Sequence, residues 1–356
     1  MNRATRHSLQ VTMVLALLAF AGVGTWWWSR PVLKLYIWDG YLPSSVVRKF
    51  SEEYHVRITV RTYTSNAEML ARVKVSWSEF DVIMPSNYII GDMRRQNLLV
   101  KMSRADVPNM SLIQSEFRSG LLGNPDDLYY GIPYMLNYAG IGYDKKAVPN
   151  PPKTWREYFS REEEQVYGRK LLVLDEPRET IGLVLIALGY APNSRNPDEL
   201  KAARDFLHEE REGGIPRLVL GEGRELLRSG EGVLLQTWSP EITIAQEEDP
   251  NIGYVMPAEG SILTADTLAI PRSSSQQELA KQFINYLLRP DIAAEVTANS
   301  HYANSLDDKF DKVSPKMRQS PSYVSPPPGK IFYLTDLGDA QHLYDAIWAE
   351  YRAIEP

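Results

Sequence analysis

VLKLYIW, at residues 32–38, is a run of apolar and aromatic residues that predicts a β-strand, and FDVIMP, at residues 80–85, predicts a second, buried one. The spacing of the apolar residues between them predicts a helix, a strand and another helix, over residues 43–54, 56–63 and 66–75. Strands that alternate with helices in this order form parallel sheets with right-handed crossovers. The N-terminal part of the chain therefore predicts an α/β fold.

The same alternation continues beyond this stretch. Residues 169–174 and 232–236 have the composition of short strands. Asn196, Pro197 and Glu199 predict a helix start, with a cap, a proline in the first turn and an acid soon after. Further helices are predicted over residues 281–288, from Arg289-Pro290-Asp291 onward, and over residues 337–352. A chain of 356 residues is too long for one α/β layer unit and suits two packed lobes.

The composition is that of a globular protein and argues against several kinds of partner and site. Hydrophobic residues make up 44% of the chain and charged residues 24%. The formal net charge of −6 argues against a nucleic-acid partner, since nucleic-acid binders normally carry a basic field. The chain has no cysteine, which excludes disulfide bonds, thiolate metal sites and a lipid anchor on a processed N-terminal cysteine.

The sequence carries no motif of an enzyme. Its five histidines are scattered without metal-ligand spacing. It has no P-loop, no Gly-x-Gly-x-x-Gly after a strand and no Gly-x-Ser-x-Gly elbow. His301, beside Tyr302, is interpreted as a residue at the rim of a cleft and not as a base. We therefore expect no catalysis, no cofactor and no metal site.

The first thirty residues have the features of a targeting segment. Two arginines, an apolar run over residues 11–20 and the small-x-small sequence Ala19-Phe20-Ala21 predict a cleaved signal peptide. Alternatively, the apolar run continues into Trp26-Trp27-Trp28 and is about long enough to cross a bilayer, which predicts a retained membrane anchor. In both interpretations residues 1–30 export the chain, and we expect a periplasmic protein.

Short motifs recur along the chain from residue 33 to the C-terminus. In chain order they are YIWDGY at 36–41, FDVIMPSNY at 80–88, YGIPY at 130–134 with GIGY at 140–143, DEPRE at 175–179, LGYAPNS at 188–194 and LLRPD at 287–291. In this order they resemble the spermidine/putrescine-binding periplasmic proteins, which are the bacterial extracellular solute-binding proteins of polyamine ABC transporters.

The resemblance implies a type II periplasmic-binding-protein fold, with two α/β lobes joined by a hinge that the chain crosses more than once. Carried over from the family, one lobe comprises residues 33–136 plus 262–308 and the other residues 137–261 plus 309–356. A cleft at the hinge holds the ligand, and the lobes close on it.

The resemblance also implies a function. We expect a monomer that binds a small cation of the polyamine type, such as putrescine or spermidine, and delivers it to the permease of an ABC importer. The alternative is a sensor subunit, whose closure on the same ligand is read by a membrane signalling protein.

A polyamine needs carboxylates at its ammonium groups and flat apolar surface along its methylenes, and aromatic rings supply that surface and a cation–π attraction. The positions of this chain that match ligand contacts of the family supply these groups. The aromatic walls are Trp38, Tyr41, Tyr88, Trp238 and Tyr302; the hydroxyl is Ser86; the acids are Asp39, Glu176, Glu179, Glu241 and Asp266.

Simpler interpretations remain open for these residues. An acid of an exported protein is usually a solvated surface residue, and DEPRE at 175–179 is also what a capped helix start looks like. The chain departs from the family at Leu136 and Thr264, which replace aromatic residues, and at Leu334, which replaces a glutamine. Carboxylates that face one cleft repel one another, so we expect raised pKa values and an affinity that falls as the pH drops toward 5.

Overall fold

The computed structural model describes residues 30–75, 79–119, 125–211 and 216–353. The predicted signal peptide or anchor lies outside the described residues, apart from Arg30. Within the described ranges, no helix combines the length and the apolar character that a membrane crossing requires.

The helices and strands alternate along most of the chain. The strands are β1 (Val32–Trp38), β2 (Arg57–Tyr63), β3 (Val82–Ile83), β4 (Ile132–Asp144), β5 (Leu171–Leu174), β6 (Arg217–Val219), β7 (Leu234–Trp238), β8 (Ile252–Val255), β9 (Ser261–Leu268), β10 (Ala303–Asn304) and β11 (Ile331–Tyr333). The α-helices are α1 (Ser44–Glu53), α2 (Asn66–Val75), α3 (Ile90–Arg95), α4 (Ser115–Ser119), α5 (Trp155–Tyr158), α6 (Arg161–Tyr167), α7 (Pro177–Ala187), α8 (Pro197–Arg211), α9 (Gly223–Ser229), α10 (Ser239–Glu248), α11 (Gln277–Leu287), α12 (Pro290–Ser300), α13 (Pro315–Arg318) and α14 (Gln341–Ala353).

The first sheet confirms the predicted strand-helix-strand-helix-strand unit. Its strand order is β2-β1-β3, and both neighbours of β1 run parallel to it. The strand predicted over residues 80–85 is shorter than expected, since only Val82–Ile83 pair with β1. Val60 on β2, the edge strand of this sheet, is 43% exposed.

The second sheet is organised around β4, a strand of 13 residues that the motif pattern did not predict. The order is β11-β9-β4-β7-β5-β6, with β8 and β10 also paired to β4. The first half of β4 pairs with β9, from Ile132 to Tyr138, and the second half pairs with β7 and β8, from Ala139 to Asp144. β4 is therefore the strand that connects β9 with β7 and β8 in one sheet.

Buried apolar side chains form two large clusters. One surrounds β1, β3 and α11, and the other surrounds β5, α7 and α14. Trp155 and Trp348 are 0% and 2% exposed and lie in the second cluster. The residue boundaries of the two lobes stay a prediction.

Two other predicted strands begin later than expected. The strand predicted over residues 169–174 begins at Leu171, because Gly168–Lys170 form a 3₁₀ turn with Gly168 at a φ of +49°. The strand predicted over residues 232–236 is Leu234–Trp238. The helix starts at Pro197 and Pro290 are confirmed.

Candidate ligand pocket

One pocket of about 660 Å³ brings together all eleven residues proposed from the sequence. They reach it from distant parts of the chain: Trp38, Asp39, Tyr41, Ser86, Tyr88, Glu176, Glu179, Trp238, Glu241, Asp266 and Tyr302. Several of them lie at or just beyond the carboxyl ends of strands, which is where open α/β sheets place ligands. Whether each residue contacts a ligand stays a prediction.

Local sequence explains how the acids reach the pocket. Glu176 and Glu179 follow β5, because Pro177 starts α7 directly after it. The helix-start interpretation of this segment is therefore correct, but the Glu176 side chain makes no capping hydrogen bond. Glu241 lies in the first turn of α10, which begins at Ser239 directly after β7 and has Pro240 as its second residue. Asp266 lies on β9, and its backbone forms an isolated antiparallel β-bridge with that of Ser86.

Asp266 is a buried carboxylate held by two hydroxyl groups. Its side chain accepts a hydrogen bond of 2.6 Å from the Tyr41 hydroxyl and one of 2.8 Å from the Ser86 hydroxyl. Burial raises the pKa of Asp266 to about 6, although both hydrogen bonds act to lower it. A positive charge beside Asp266 would offset the free-energy cost of burying its carboxylate.

Glu179 is a second buried carboxylate of the pocket. One of its oxygens accepts a hydrogen bond of 2.6 Å from the Trp238 indole N–H, and the other accepts one of 3.3 Å from the Thr264 hydroxyl. Burial, and then the charge of Glu176, raise the pKa of Glu179 to about 8. The expected rise is confirmed in direction, but burial and not mutual repulsion is its largest cause.

Glu176 is a pocket acid whose side chain has no hydrogen-bond partner among the described residues. Its carboxylate neither accepts a hydrogen bond from any described residue nor forms an ion pair with one. Burial raises its pKa to about 7, with a further increase from the charge of Asp175. Its oxygens are therefore available to a donor that enters the pocket.

Glu241 differs from the other acids because it has a cationic neighbour. Nε of Arg224 lies 3.6 Å from its carboxylate, and both side chains are about a third exposed. Burial raises the pKa of Glu241, and Arg224 opposes the rise. The sequence analysis did not identify Arg224, which stands outside any motif that resembles the family.

Aromatic rings form one continuous wall beside these groups. The rings of Trp38 and Tyr63 have centroids 4.6 Å apart, and those of Tyr41 and Tyr302 are also 4.6 Å apart. The Tyr88 hydroxyl accepts a hydrogen bond of 3.0 Å from the Asn66 side chain. These surfaces suit the methylenes and ammonium groups of an aliphatic cation.

The polar residues that line the pocket without having been predicted as contacts include Asn66 and Asn137. Asn66 donates to both Ser86 and Tyr88, and so it links the two. Asn137, on β4, is 4% exposed, and its buried side-chain oxygen has no hydrogen-bond partner among the described residues. Neither asparagine carries a sequence signal, because an isolated amide is common on any strand or helix.

The departures from the family pattern have unequal effects on the pocket. Thr264 lines it and donates to Glu179, so this position exchanges aromatic surface for a hydrogen bond. Leu136 and Leu334 are buried and are not among the lining residues. His301 also lies outside the lining, and its imidazole contacts the Glu247 carboxylate at 2.9 Å. Asp39 is exposed at the rim.

The described part of the chain contains no cluster of three or more histidine, aspartate or glutamate side chains placed to hold a metal ion.

The chain is similar over most of its length to a group of known proteins. A family model described as bacterial extracellular solute-binding protein matches residues 45–321. The spermidine/putrescine-binding periplasmic protein of Salmonella typhimurium is 27% identical over 332 residues, which cover 91% of this chain and 92% of the relative. The protein of the same name in Escherichia coli is 29% identical over 272 residues, or 76% of each chain.

Solved structures of similar proteins have the same fold as this chain. The TpPotD lipoprotein of Treponema pallidum has a TM-score of 0.79 at 26% identity, with 90% of this chain and 99% of that one covered. The predicted fold class, a two-lobed α/β fold of the periplasmic-binding type, is confirmed.

Proposed function

We propose, from the premise that this chain belongs to the bacterial extracellular solute-binding proteins, that it binds a polyamine-type cation in a cleft between its two lobes and delivers it to an ABC importer. The pocket of about 660 Å³ is the proposed cleft. In this proposal the lobes are residues 33–136 plus 262–308 and residues 137–261 plus 309–356, and they close on the ligand. The chain carries out no chemistry on the ligand.

The observation that carries the proposal is the pair of buried carboxylates, Glu179 and Asp266, beside aromatic walls. A buried carboxylate is costly unless a cation or several donors compensate it. Each of these two accepts two hydrogen bonds and still has a raised pKa. A cation with apolar segments satisfies both carboxylates and covers the rings, whereas an anionic ligand would add to the repulsion.

The first test is calorimetric titration of the exported protein with putrescine, spermidine and norspermidine, beside neutral and anionic solutes of similar size. We expect heat of binding with an amine and none with the control solutes. Asp266→Asn should weaken binding by about a hundredfold, because a charge-assisted contact of about 2–3 kcal/mol is lost. Glu248→Gln, a change on α10 outside the pocket, should leave the affinity unaltered.

Delivery to an importer is supported by the relatives, which are named as periplasmic spermidine/putrescine-binding proteins. Deletion of the gene should reduce uptake of the radiolabelled amine that the titration identifies, and Asp266→Asn should not restore it. Normal uptake, together with a changed output of a membrane signalling protein, would instead support the sensor subunit.

A further inference from the structure

We infer that Asn137 is a specificity-determining residue, whose amide oxygen accepts a hydrogen bond from the ligand and so favours a primary ammonium group over an N-alkylated one. This inference rests on the proposed function and adds to it the kind of nitrogen that the pocket recognises. Asn137 was not proposed from the sequence. It lies on β4, lines the pocket and is 4% exposed.

The register of the sheet places the Asn137 side chain on the pocket side of β4. Asn137 pairs with Thr264 on β9, and residues directly opposite each other on antiparallel strands share one face. Thr264 lines the pocket as well. Leu136 and Tyr138, the two neighbours of Asn137 along the strand, alternate to the other face and do not line the pocket.

The amide oxygen of Asn137 is buried without a hydrogen-bond partner among the described residues. Most buried polar atoms of side chains have a partner, because an unpaired acceptor loses its hydrogen bonds to water and gains none in return. The hydroxyl of Thr264, the residue opposite, already donates to Glu179. A donor that enters with the ligand would complete the hydrogen bonding of Asn137.

The ligand nitrogen within reach of Asn137 is the one that binds Glu179. Thr264 donates to a carboxylate oxygen of Glu179 at 3.3 Å, and the Cβ atoms of opposite residues such as Asn137 and Thr264 are about 5 Å apart. An ammonium group at Glu179 therefore lies close to the amide. The terminal torsion of an asparagine side chain is broad, so the amide can turn its oxygen toward an entering N–H.

An amide oxygen distinguishes nitrogens by their N–H groups. A primary ammonium group has three donors, which suit Glu179, Asn137 and the carboxylate of Glu176, whose side chain has no partner among the described residues. Each methyl group on the nitrogen removes one donor and leaves the charge. Aromatic rings still attract such a cation, whereas Asn137 is a neutral acceptor and loses its hydrogen bond.

The test compares 1,4-diaminobutane and spermidine with their permethylated tertiary-amine derivatives, in which every nitrogen keeps its charge and a single N–H. Because all nitrogens are altered, reversed binding cannot restore a primary ammonium group. Calorimetric titration of the full-length protein should show that methylation weakens binding by about a hundredfold. Asn137→Leu, which is similar in size and has no polar group, should bind the unmodified amine about tenfold more weakly and the methylated one within about twofold of wild type.

The melting temperature of the empty protein separates this role from a structural one. Because the oxygen of Asn137 has no partner to lose, Asn137→Leu should keep or raise the melting temperature. Asn251→Leu is the matched control, because Asn251 donates to Asp144 at 2.6 Å and does not line the pocket. It should lower the melting temperature and leave the effect of methylation unchanged. Asn137→Ala, which adds no bulk, should reduce the effect of methylation as Asn137→Leu does.

Two results would overturn the inference while the proposed function survives. One is an effect of methylation that is as large in Asn137→Leu and Asn137→Ala as in the wild-type protein. The other is a loss of several degrees in the melting temperature of empty Asn137→Leu, which would show that the amide is paired within the protein. The absence of heat with either unmodified amine would reject the proposed function itself.

Discussion

Glu179 combines a costly burial with a strong donor. Burial raises its pKa to about 8, yet the Trp238 indole N–H donates to it at 2.6 Å and stabilises the charged form. Trp238 thereby has two roles in the proposed site, as a flat surface beside the ligand and as a donor that limits the rise of the Glu179 pKa. The two roles are separable, because phenylalanine retains an aromatic ring and lacks the N–H.

We predict that Trp238→Phe weakens amine binding by about tenfold, since a hydrogen bond to a charged group contributes about 1.5 kcal/mol or more. The pKa of Glu179 should rise further, so the loss should be larger at pH 6 than at pH 8. Calorimetric titration at both pH values measures this. Trp155→Phe is the control, because Trp155 donates its indole N–H to the Gly260 carbonyl inside the core and lines no part of the pocket. A loss of affinity that is the same at both pH values would contradict the assigned role of the N–H.

At the scale of single residues, the sequence was informative where a residue belonged to a motif. Seven of the eleven proposed residues lie in the motifs at 36–41, 80–88 and 175–179, the other four match single positions of the family, and all eleven line the pocket. Arg224 and Asn137 reach the same pocket through tertiary packing alone. No local pattern distinguishes them from other surface arginines or strand amides.

At the scale of elements, the parallel pairing of β9 with β11 begins beside one glycine, Gly260. Gly260 has a φ of +108° just before β9, and a Cβ placed there would lie 2.1 Å from the Lys330 carbonyl oxygen. That oxygen accepts the Ser261 backbone N–H at 3.0 Å, so the backbone has little freedom to move away. Since β9 carries Thr264 and Asp266, this turn positions the pocket as well.

We predict that Gly260→Ala lowers the free energy of unfolding by about 3 kcal/mol, from backbone strain plus a contact that only a backbone shift can relieve. Gly329→Ala is the matched variant. Gly329 has a φ of +82° with no atom within 4 Å of an added Cβ, so the strain of about 1 kcal/mol acts alone. Urea denaturation measures both, and equal losses would show that the contact with Lys330 contributes nothing.

The helices and strands that could be predicted from the sequence were those with a regular spacing of apolar residues or a recognisable helix start. The helices at Pro197 and Pro290 and the strand at residues 32–38 have caps or uniform apolar runs, and these form as predicted. β4 was missed because Pro133, Gly140 and Gly142 interrupt a strand pattern. The two glycines are needed there, since an added Cβ would lie 2.4 Å from the Tyr254 ring at Gly140 and 2.2 Å from Ile242 at Gly142.

At the scale of the whole molecule, the buried acids make the stability of the empty protein depend on pH. In the folded state Glu179, Glu176 and Asp266 have pKa values of about 8, 7 and 6. In the unfolded chain such carboxyl groups titrate near pH 4. Between about pH 5 and pH 8 the folded protein therefore binds more protons than the unfolded chain, and the free energy of unfolding falls as the pH rises.

We predict that the melting temperature of the empty protein falls by several degrees from pH 5 to pH 8. Glu179→Gln should raise it at pH 8 and flatten the dependence, because the variant has no charge to bury at that position. Glu248→Gln, on the exposed face of α10, should keep the wild-type slope. A melting temperature that rises steadily from pH 5 to pH 8 would show that these acids are not buried in the empty protein.

A bound amine should counteract this pH dependence of the melting temperature. The ligand interacts with ionised carboxylates, so the increase in melting temperature that it causes should be larger at pH 8 than at pH 5. Binding at pH 7 should also release protons from Glu179 and Glu176, and the calorimetric heat should then vary with the ionisation enthalpy of the buffer. Identical heats in phosphate and Tris at pH 7 would contradict proton release.

The course of β4 bears on how such a protein diversifies. Because one unbroken strand pairs with β9 through its first half and with β7 and β8 through its second, no single crossover between genes could exchange half of the molecule without splitting a sheet. Such an exchange would place strands from two parent genes in one sheet. Substitution of a single pocket residue such as Thr264 leaves these strand pairings intact. We therefore expect ligand preference among descendants of such a protein to change through scattered point substitutions.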